Sequence, residues 1–397
     1  MSAIPHACHS APRLRVLVVQ PSLQPPGGGN AVAAWILQAL AGAHDITVCS
    51  WRPVALESVN AYYGTTLRHE DATWLPMPAV LRLLEGVPLP VVLLKSSLLF
   101  RRAKKLVGDF DVVICGHNET DFGRRTLQYI HYPSRLRPRP HADLRWYHAW
   151  TGALAAYYAL CDWVADFHAE RVVEATTVTN STWIAGRMVQ LYGKEARPRV
   201  VPPPVEMAPS PLAWDDREDG FVCIGRIAPE KELERVIGIL ARVRQTRPEI
   251  RLHIIGSRGP QWYVRRVERL AREAGDWVYL HFDVSRSDLV GLIHQNRYAI
   301  HGMSEEHFGI APAEALLGGS IVFVPDGGGQ VDIVGPEYRL RFASDEEAVD
   351  KIVAVLGSER DQATLRAFLR DRGALFTRAR FEVAIRGLVD EVFSGRQ

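Results

Sequence analysis

The sequence LRVLVVQPSLQPPGGGNAVAAWILQAL, residues 14–40, joins a continuous apolar run to a helical pattern through a turn rich in proline and glycine. The run Leu14–Val19 is typical of a strand that is buried on both faces of a parallel sheet. The apolar positions of Ala31–Leu40 recur with the period of a helix that packs on such a sheet. A strand followed by a helix is the repeating unit of α/β folds, so this stretch predicts a parallel sheet.

The same alternation continues through the first half of the chain. Further strands are predicted at Ile46–Cys49, Val112–Cys115, Thr126–Ile130 and Thr177–Thr179, and Asn180 and Ser181 are good caps for a helix that runs toward Leu191. The sequence PRVVPPP at residues 198–204 cannot lie inside a helix or a central strand, because proline fixes φ and lacks a backbone donor. It therefore predicts a linker between two domains.

A second alternation follows this linker. Strands are predicted at Phe221–Gly225, Leu252–Gly256, Val278–Phe282, Tyr298–His301 and Ile321–Val324, and helices at Glu230–Val243, Gln261–Glu273, Arg286–Gln295, Ala311–Leu317 and Glu359–Val392. We therefore predict an α/β protein with two Rossmann-like domains, 1–204 and 205–375, that face each other across a cleft. A C-terminal helix, 376–397, is expected to return toward the first domain. Ligands of such sheets bind beyond the carboxyl ends of the strands.

Composition excludes several classes of protein. The 397 residues carry a formal net charge of +2, with +6 on residues 1–200 and −4 on the remainder, far from the concentrated positive charge of a nucleic-acid-binding protein. The five cysteines form no CxxC pair, and Asp and His form no evident cluster, so we expect neither a disulfide framework nor a metal site. No leader is evident at residues 1–13, and charges and prolines interrupt the apolar stretch 80–100, which favours a cytoplasmic protein.

The sequence SEEHFGIAPAEAL, residues 304–316, contains two glutamates that suggest a binding site. Glu306 and Glu314 are eight positions apart, which would separate them by roughly 12 Å if the whole segment were helical. That is too far for a paired acid/base site, but it suits the two ends of an extended ligand. The backbone N–H groups between them could face an anion at the helix N-terminus. The alternative, in which Glu306 caps the helix and Glu314 is solvated, is less favoured once the neighbouring residues are considered.

Two cations follow the first strand after the linker. Arg226 and Lys231, within GRIAPEK at residues 225–231, lie where a strand gives way to a helix. There they could neutralise a diphosphate, Arg226 through its planar fork and Lys231 as a point charge. Such residues are more often solvated, but their place before the glutamate segment favours binding. Together the two segments suggest a ligand with hydroxyl groups at its ends and a diphosphate between them, which is the shape of a nucleotide sugar.

Three further segments allow two interpretations each. The sequence PPGGGN is either a flexible turn or a loop whose Gly28 and Gly29 let the backbone approach a ligand, although it lacks the spacing GxGxxG. His131 ends a strand and either points toward a ligand or is bonded within a turn. Residues 93–107 form a basic amphipathic helix, which is either a solvated outer face or a peripheral contact with the inner face of an anionic membrane.

The order of these motifs resembles that of the retaining glycosyltransferases of the GT-B fold, in family 4. The similarity covers roughly residues 13–334. Within the family, the sequence is most similar to the cytosolic α-1,2-mannosyltransferase subgroup of the dolichol pathway. The stretches that carry this similarity are GGG at 27–29, YIHYP at 129–133, IGSR at 255–258, IHGM at 300–303, EHFGI at 306–310 and GGGQVDIV at 327–334.

The resemblance implies a retaining, metal-independent hexosyltransferase that needs no cofactor besides its substrate, a GDP- or UDP-linked sugar. Mannose is the leading candidate among the sugars, and the acceptor would be a glycan, a lipid-linked saccharide or a small molecule. The resemblance also implies that residues 1–204 bind the acceptor and residues 205–375 bind the donor. Family precedent implies front-side displacement, in which the departing diphosphate oxygen accepts the proton of the acceptor.

The resemblance also assigns roles to single residues. Arg226 and Lys231 would bind the diphosphate, Glu306 the donor sugar and Glu314 the ribose hydroxyls. His131 would lie beside the anomeric centre or the acceptor. Further donor contacts are implied for Gly28, Gly29, Ser257, Arg258, Phe308, Gly309 and Ile310, with His281–Asp283 beside the base.

The sequence departs from the subgroup at several points. It lacks the expected N-terminal membrane helix, Asn30 and Ala31 replace a polar pair, and Ala311 and Ala313 differ within the helix. These departures leave the mannose donor and a lipid-linked acceptor open. Two other functions also remain: a nucleotide-sugar epimerase on the same fold, and a protein that binds a nucleotide sugar without turnover.

Overall fold

A computed structural model describes residues 13–24, 27–52, 54–86, 92–136 and 150–395. Contacts divide the chain into two compact units. The first comprises the described parts of Met1–Tyr129, Gly152–Thr177 and Glu382–Gln397, and the second comprises those of Ile130–Thr151 and Val178–Phe381. The domain limits expected from the sequence, 1–204, 205–375 and 376–397, stay a prediction, since the contacts group the chain in this different way.

Seven strands form the first sheet. They are β1 (Arg15–Val19), β2 (Asp45–Ser50), β3 (Thr73–Pro76), β4 (Val112–Cys115), β5 (Thr126–Ile130), β6 (Thr176–Thr179) and β7 (Arg199–Val200). Their order in the sheet is β3-β2-β1-β4-β5-β6-β7, and every pairing whose register is described is parallel. The order reverses between β1 and β4, which is the position where doubly wound sheets bind their ligands.

Six strands form the second sheet. They are β8 (Glu218–Ile224), β9 (Arg251–Gly256), β10 (Val278–Phe282), β11 (Asn296–Ile300), β12 (Ile321–Pro325) and β13 (Arg341–Phe342). Their order is β10-β9-β8-β11-β12-β13, again with parallel pairings. The order reverses between β8 and β11, so the loops that follow these two strands are neighbours.

Helices connect the strands. They are α1 (Gly28–Leu40), α2 (Leu56–Tyr63), α3 (Ala79–Arg82), α4 (Val92–Leu106), α5 (Thr151–Ala165), α6 (Thr182–Tyr192), α7 (Leu233–Val243), α8 (Gln261–Ala274), α9 (Arg286–Gln295), α10 (Ile310–Leu317), α11 (Val331–Val334), α12 (Asp345–Leu356), α13 (Glu359–Gly373) and α14 (Arg378–Ser394). Residues 382–395 group with the first unit, in which Arg386 on α14 donates to the carbonyl of Ala39 at the end of α1.

Apolar strands form the core of each sheet. All residues of β4 and β12 are buried, as expected for strands covered on both faces. In the second unit the rings of Phe221 and Tyr298 stack with centroids 5.0 Å apart, and Phe323 packs 6.2 Å from Phe221. Each such buried ring contributes about 2–3 kcal/mol through the apolar surface that it removes from water. These rings lie on β8, β11 and β12, so they hold together the strands that precede the candidate site.

The structure confirms the predicted α/β class and the two parallel sheets, and it corrects several local expectations. The sequence 198–204 contains the short strand β7, which is tolerated beside prolines because it lies at the sheet edge. The predicted helix at Glu230 begins only at Leu233, since Glu232 has a φ of 48° and interrupts it. The predicted helix Glu359–Val392 is two helices, separated by a short turn at Ala374–Phe376.

Candidate active site

Lys231 lies beyond the carboxyl end of β8. The chain leaves this strand through Gly225, whose φ of 154° favours glycine, and Pro229–Lys231 forms a single 3-10 turn before α7. The side chain of Lys231 runs directly over Gly225, so that a Cβ at that position would lie 3.3 Å from its Cε. The glycine therefore provides the space along which the lysine extends.

The ammonium of Lys231 reaches the loop that follows β11. Its Nζ donates to Oε2 of Glu306 at 2.5 Å, and both side chains are about four-fifths buried. The Nε2 atom of His301, directly after β11, lies 3.3 Å from the same carboxylate oxygen. His301 is buried. The strand order thus brings together residues that are far apart in the sequence.

The surroundings of Glu306 favour its ionised form. Burial opposes ionisation, but His301 and Lys231 outweigh it and hold the pKa of the Glu306 carboxyl below its ordinary value. Burial lowers the pKa of His301, which therefore tends toward the neutral imidazole, although Glu306 partly opposes this. The result is one buried cation paired with one buried anion, next to an imidazole.

Glu314 has a separate cationic partner. Its carboxylate accepts from Nη1 of Arg286 at 2.5 Å, and Arg286 also donates to the carbonyl of Glu206. Burial raises the pKa of Glu314, and Arg286 opposes the rise. Only Ile310–Leu317 is helical, so the separation of roughly 12 Å expected for a fully helical segment does not apply to Glu306 and Glu314. The structure instead distinguishes the two glutamates by their partners.

The N-terminus of α10 follows the Glu306 loop. Gly309 precedes the helix with a φ of 104°, no side chain caps its N-terminus, and the first turn contains no acidic residue. Such an end attracts anions through its backbone N–H groups and the helix dipole. Phe308 is buried, with its ring 5.8 Å from that of Phe376, so only its backbone is available to a ligand. Gly309 and Ile310 lie at the same helix end.

A glycine-rich loop holds the Glu306 loop in place. The N–H of Gly329 donates to the carbonyl of Glu306 at 2.6 Å, and a Cβ at Gly329 would lie 2.1 Å from the carbonyl oxygen of His307. Gln330 is fully buried and donates to the carbonyl of Met303 at 2.8 Å. In the sequence, this stretch stands out only through its resemblance to the glycosyltransferase family. Its consecutive glycines were the available sign of a close backbone approach.

Residues beside His131 also contact this loop. The ring of Tyr132 stacks on that of His307 with centroids 4.6 Å apart. The ring of Trp183 lies nearly parallel to that of His307, with centroids 6.1 Å apart. Ser181 donates to the carbonyl of His307 at 2.6 Å. The segment that carries His131 therefore reaches the loop that carries Glu306. Sequence reasoning placed Ser181 only as a helix cap, which it also is, since its Oγ accepts from Ile184.

The remaining predicted donor residues of the second unit lie around the ends of β8 and β9. Arg226 forms an ion pair with Glu230 and is half exposed, which leaves guanidinium donors for a ligand. The carbonyl of Ser257 accepts from the N–H of Ile227 at 2.9 Å, so the two loops are joined. Arg258 lies over the ring of Phe282 at 3.9 Å and within ion-pair distance of Asp283. Ser257 and Arg258 thus lie on the loop next to Arg226.

Gly28 and Gly29 lie in the first unit, where the structure differs from the predicted loop. They form the first turn of α1, which begins at Gly28 rather than at Ala31. The prolines that precede them, and most of the aromatic and basic stretch from Arg135 to Trp150, lie outside the described residues. The assignment of both glycines to the donor stays a prediction.

The basic helix predicted at 93–107 corresponds to α4, and several of its cations have partners inside the protein. Lys104 pairs with the buried Asp121 at 2.6 Å, and Arg101 pairs with Asp166 at 2.9 Å. Across the part of the chain that the structure describes, no helix has the length and apolar character needed to cross a bilayer. Within the same residues, no three His, Cys, Asp or Glu side chains are grouped so that they could hold a metal ion.

Comparison with known sequences supports a relation to glycosyltransferases. Residues 206–371 match the family described as "Glycosyl transferases group 1". Two relatives are named GDP-Man:Man(3)GlcNAc(2)-PP-Dol alpha-1,2-mannosyltransferase. The relative from Xenopus tropicalis is 27% identical over 225 residues, which cover 52% of this chain and 46% of the relative. The human relative is 24% identical over 237 residues, which cover 54% and 48%. The matched region thus spans just under half of each relative.

Comparison with solved structures extends over nearly the whole chain. Sucrose-phosphate synthase from Thermosynechococcus elongatus superposes with a TM-score of 0.69 at 17% identity, covering 96% of this chain and 100% of that one. The HepE protein of Anabaena, in complex with UDP, superposes with a TM-score of 0.67 at 15% identity and the same coverage. At sequence identities of 15% and 17%, this structural similarity establishes the fold alone. The chain therefore has the GT-B fold of two Rossmann-like domains, and its residues 206–371 carry the sequence signature of the group 1 glycosyltransferases.

Proposed function

We propose that the protein transfers a hexosyl unit from a nucleoside diphosphate sugar to an acceptor hydroxyl. The observation that carries this proposal is the Lys231–Glu306 pair at the point where the second sheet reverses its strand order, next to the uncapped N-terminus of α10. A cation and free backbone donors at this position suit the diphosphate of a donor, since both favour the charge that develops on a leaving group.

The ion pair suggests how the protein holds its cation in readiness. Glu306 fixes the direction of the Lys231 side chain, so little reorganisation is needed when the diphosphate departs. Arg226, on the same loop, would bind the diphosphate with the donors that Glu230 leaves unused. Glu306 would in addition accept hydrogen bonds from hydroxyls of the donor sugar. Glu314, held by Arg286, would accept those of the ribose.

We further propose that the reaction retains the anomeric configuration and requires no metal ion. In the front-side displacement implied by the family, the bond from C1 to the diphosphate oxygen breaks, and the acceptor oxygen bonds to C1 on the same face. The proton of the acceptor passes to the departing diphosphate oxygen, so the protein needs no separate base. Lys231, Arg226 and the end of α10 would provide the positive potential otherwise supplied by a divalent cation. His131 would lie beside the anomeric centre or the acceptor.

The donor is proposed to carry GDP or UDP. The named sequence relatives use GDP-mannose, whereas the HepE structure contains UDP, so the comparisons support both bases. Ser257 and Arg258, on the loop after β9, are proposed to lie beside the base, and Phe308, Gly309 and Ile310 to offer backbone donors. Gly28 and Gly29 are proposed as further donor-binding residues.

The acceptor is proposed to be a glycan, a lipid-linked saccharide or a small molecule. The protein itself is proposed to be cytoplasmic, either without membrane contact or with a peripheral contact to the inner face of the membrane. A peripheral contact through 93–107 is the least supported part, because Arg101 and Lys104 already have carboxylate partners. Flotation with vesicles of phosphatidylcholine containing phosphatidylglycerol tests it directly. Co-flotation that Lys105→Glu weakens would support the contact, and an absence of co-flotation at low salt would contradict it.

The function is tested by incubating the protein with GDP-mannose, UDP-glucose and UDP-N-acetylglucosamine, with and without an acceptor panel. Release of the nucleoside diphosphate together with a product one hexose heavier supports transfer, and the anomeric configuration of the new bond follows from its NMR coupling constant. Conversion of the donor sugar without an acceptor would indicate an epimerase, which the comparisons do not favour. Binding without turnover across the panel would indicate a protein that only binds the nucleotide sugar.

A further inference from the structure

A second cleft, of about 560 Å³, lies at the opposite end of the second sheet. It is bordered by Asp219 and Arg297, at the starts of β8 and β11, and by Arg366 on α13. The proposed donor site follows the carboxyl ends of the same two strands. Because β8 has seven residues, the two sites are separated by roughly 20 Å along the strands. The cleft is therefore independent of the chemistry proposed above.

Three arginines, Arg247, Arg297 and Arg366, line this cleft, and a fourth, Arg217, lies beside Trp214 without lining it. The guanidinium of Arg366 lies 4.5 Å from the ring centroid, that of Arg297 at 5.7 Å and that of Arg217 at 5.8 Å. We call Arg217, Arg247, Arg297 and Arg366 the arginine cluster. Stacking on Trp214 accounts for the positions of Arg217, Arg297 and Arg366, but it does not neutralise their charges.

Most of the arginine cluster has no counter-ion. Arg297 pairs with Asp219 at 2.7 Å. Among the residues that the structure describes, Arg217, Arg247 and Arg366 are not within ion-pair distance of any carboxylate. Arg217 is nine-tenths buried, and its Nε and Nη1 atoms, like Nε of Arg366, are buried without a hydrogen-bond partner. A buried guanidinium without a partner is costly, because it has lost its water without gaining an acceptor.

The pKa of Arg217 reflects its burial and the closeness of these positive charges. Burial lowers the pKa of Arg217, and the charges of Arg366 and Arg297 lower it further. The other carboxylates that border the cleft, Asp215, Glu249 and Glu359, are exposed at its rim, where solvent screens them. Besides Asp219, which pairs with Arg297, the carboxylates of the cleft thus lie at its rim and not against Arg366 or Arg247.

We infer that the arginine cluster is a binding site for a phosphate group, separate from the proposed donor site. A phosphate dianion offers three terminal oxygens, enough to accept from several guanidinia at once, whereas a carboxylate offers two. Its charge would offset the repulsion among the arginines, and its oxygens would supply acceptors to two that line the cleft, Arg366 and Arg247. Both inorganic phosphate and a phosphate monoester of a small metabolite share this chemistry.

The inference is tested by isothermal titration calorimetry of the full chain with sodium phosphate at pH 7.5, with ionic strength held constant by sodium chloride. We expect saturable binding, weakened at least tenfold in Arg366→Gln and in Arg247→Gln. Arg269→Gln serves as the matched control, since Arg269 is an exposed arginine of α8 and does not line the cleft. Should Arg366→Gln fail to fold by circular dichroism, Arg247→Gln decides the question.

Lys231→Ala separates this site from the donor site, which could also attract phosphate. Binding that persists in Lys231→Ala and weakens in Arg247→Gln supports the inference. Absence of saturable binding, or binding that is lost in Lys231→Ala and unchanged in the arginine variants, would overturn it. A parallel titration with mannose 6-phosphate distinguishes a phosphate monoester from inorganic phosphate as the ligand. Tenfold tighter binding of the ester identifies a phosphorylated metabolite, and equal affinity identifies inorganic phosphate.

Discussion

The ammonium of Lys231 lies 2.5 Å from the carboxylate of Glu306, although 75 positions separate the two residues in the sequence. The pair joins the loop after β8 to the loop after β11, and His301 lies 3.3 Å from the same carboxylate oxygen. Each partner therefore holds the side chain of the other in place and offsets its buried charge. This mutual dependence decides what substitutions at either position are expected to do.

Lys231→Ala is expected to lower kcat by about 100-fold or more, because loss of one preorganised group that stabilises developing charge costs about 3 kcal/mol. KM for the donor should change less than kcat. Steady-state kinetics with the donor identified by the product assay measure both. Arg269→Ala, which removes a cation from an exposed helix surface, should leave both parameters unchanged. Activity of Lys231→Ala within a few-fold of the original protein would refute the role of this lysine.

Glu306→Gln is expected to destabilise the fold by about 3 kcal/mol at pH 7, because it leaves a largely buried ammonium without its anion. The pKa of Glu306 is lowered from 4.5 in the folded state, so its stabilising effect is complete above about pH 5. The effect is lost as the pH falls through the folded-state pKa. Urea unfolding at pH 7, 5 and 3 should therefore show a difference between the two proteins that shrinks only at the acidic end. A difference that is independent of pH would contradict the ion pair.

Glu314→Gln should weaken binding of the nucleoside diphosphate about tenfold at pH 7, since hydrogen bonds to a charged group contribute about 1.5–3 kcal/mol. Burial raises the pKa of Glu314 above 4.5, so its carboxylate is protonated at a higher pH than an ordinary glutamate. Affinity of the original protein should consequently fall between pH 7 and pH 5, and that of Glu314→Gln should vary less. Calorimetric titration with GDP and UDP at both values of pH checks this. Equal affinities for the two proteins at pH 7 would remove Glu314 from the donor site.

Gly329→Ala should impair both stability and turnover, because the new Cβ would lie 2.1 Å from the carbonyl oxygen of His307. Relief of this overlap must displace the loop that carries Glu306, at a cost of about 1–3 kcal/mol. Gly238→Ala is the matched control, since a Cβ at this position in α7 meets no atom within 4 Å. The control should be neutral or slightly stabilising, as is usual for glycine to alanine in a helix. Thermal unfolding and kcat of both variants decide whether the loop depends on a close backbone approach.

The sequence was sufficient for the long buried strands and insufficient for the short edge strands. In Leu14–Val19 every residue except Arg15 is apolar, and the short length and the three valines favour a buried strand over a helix. Strands β7 and β13 have two residues each and form only because a neighbouring strand offers its backbone. Helix α5 was also not predicted, because its alanines and aromatic residues show weak helical periodicity. In each case tertiary contacts, rather than local pattern, decide the structure.

In the candidate site, too, some features follow from local sequence and others only from tertiary contacts. The residue types at Arg226, Lys231, Glu306 and Glu314 could be selected from their chemistry and their order along the chain. Their partners could not, because the pairing of Lys231 with Glu306 depends on β8 lying beside β11, and that of Glu314 with Arg286 depends on two helices. The support from Ser181 and Gln330 depends on backbone carbonyls whose positions only the folded chain defines.

The position of β11 beside β8 also bears on how the protein acquires its activity. Strands β9 and β10 with their helices lie between these neighbours in the sequence, so closing the β8–β11 contact requires a long loop to be ordered. Contacts of this kind form slowly, and they raise the contact order of the domain. The loops around Lys231 and Glu306 cannot form the ion pair from local structure alone. During synthesis, the site is completed only after the chain has emerged well beyond Glu306.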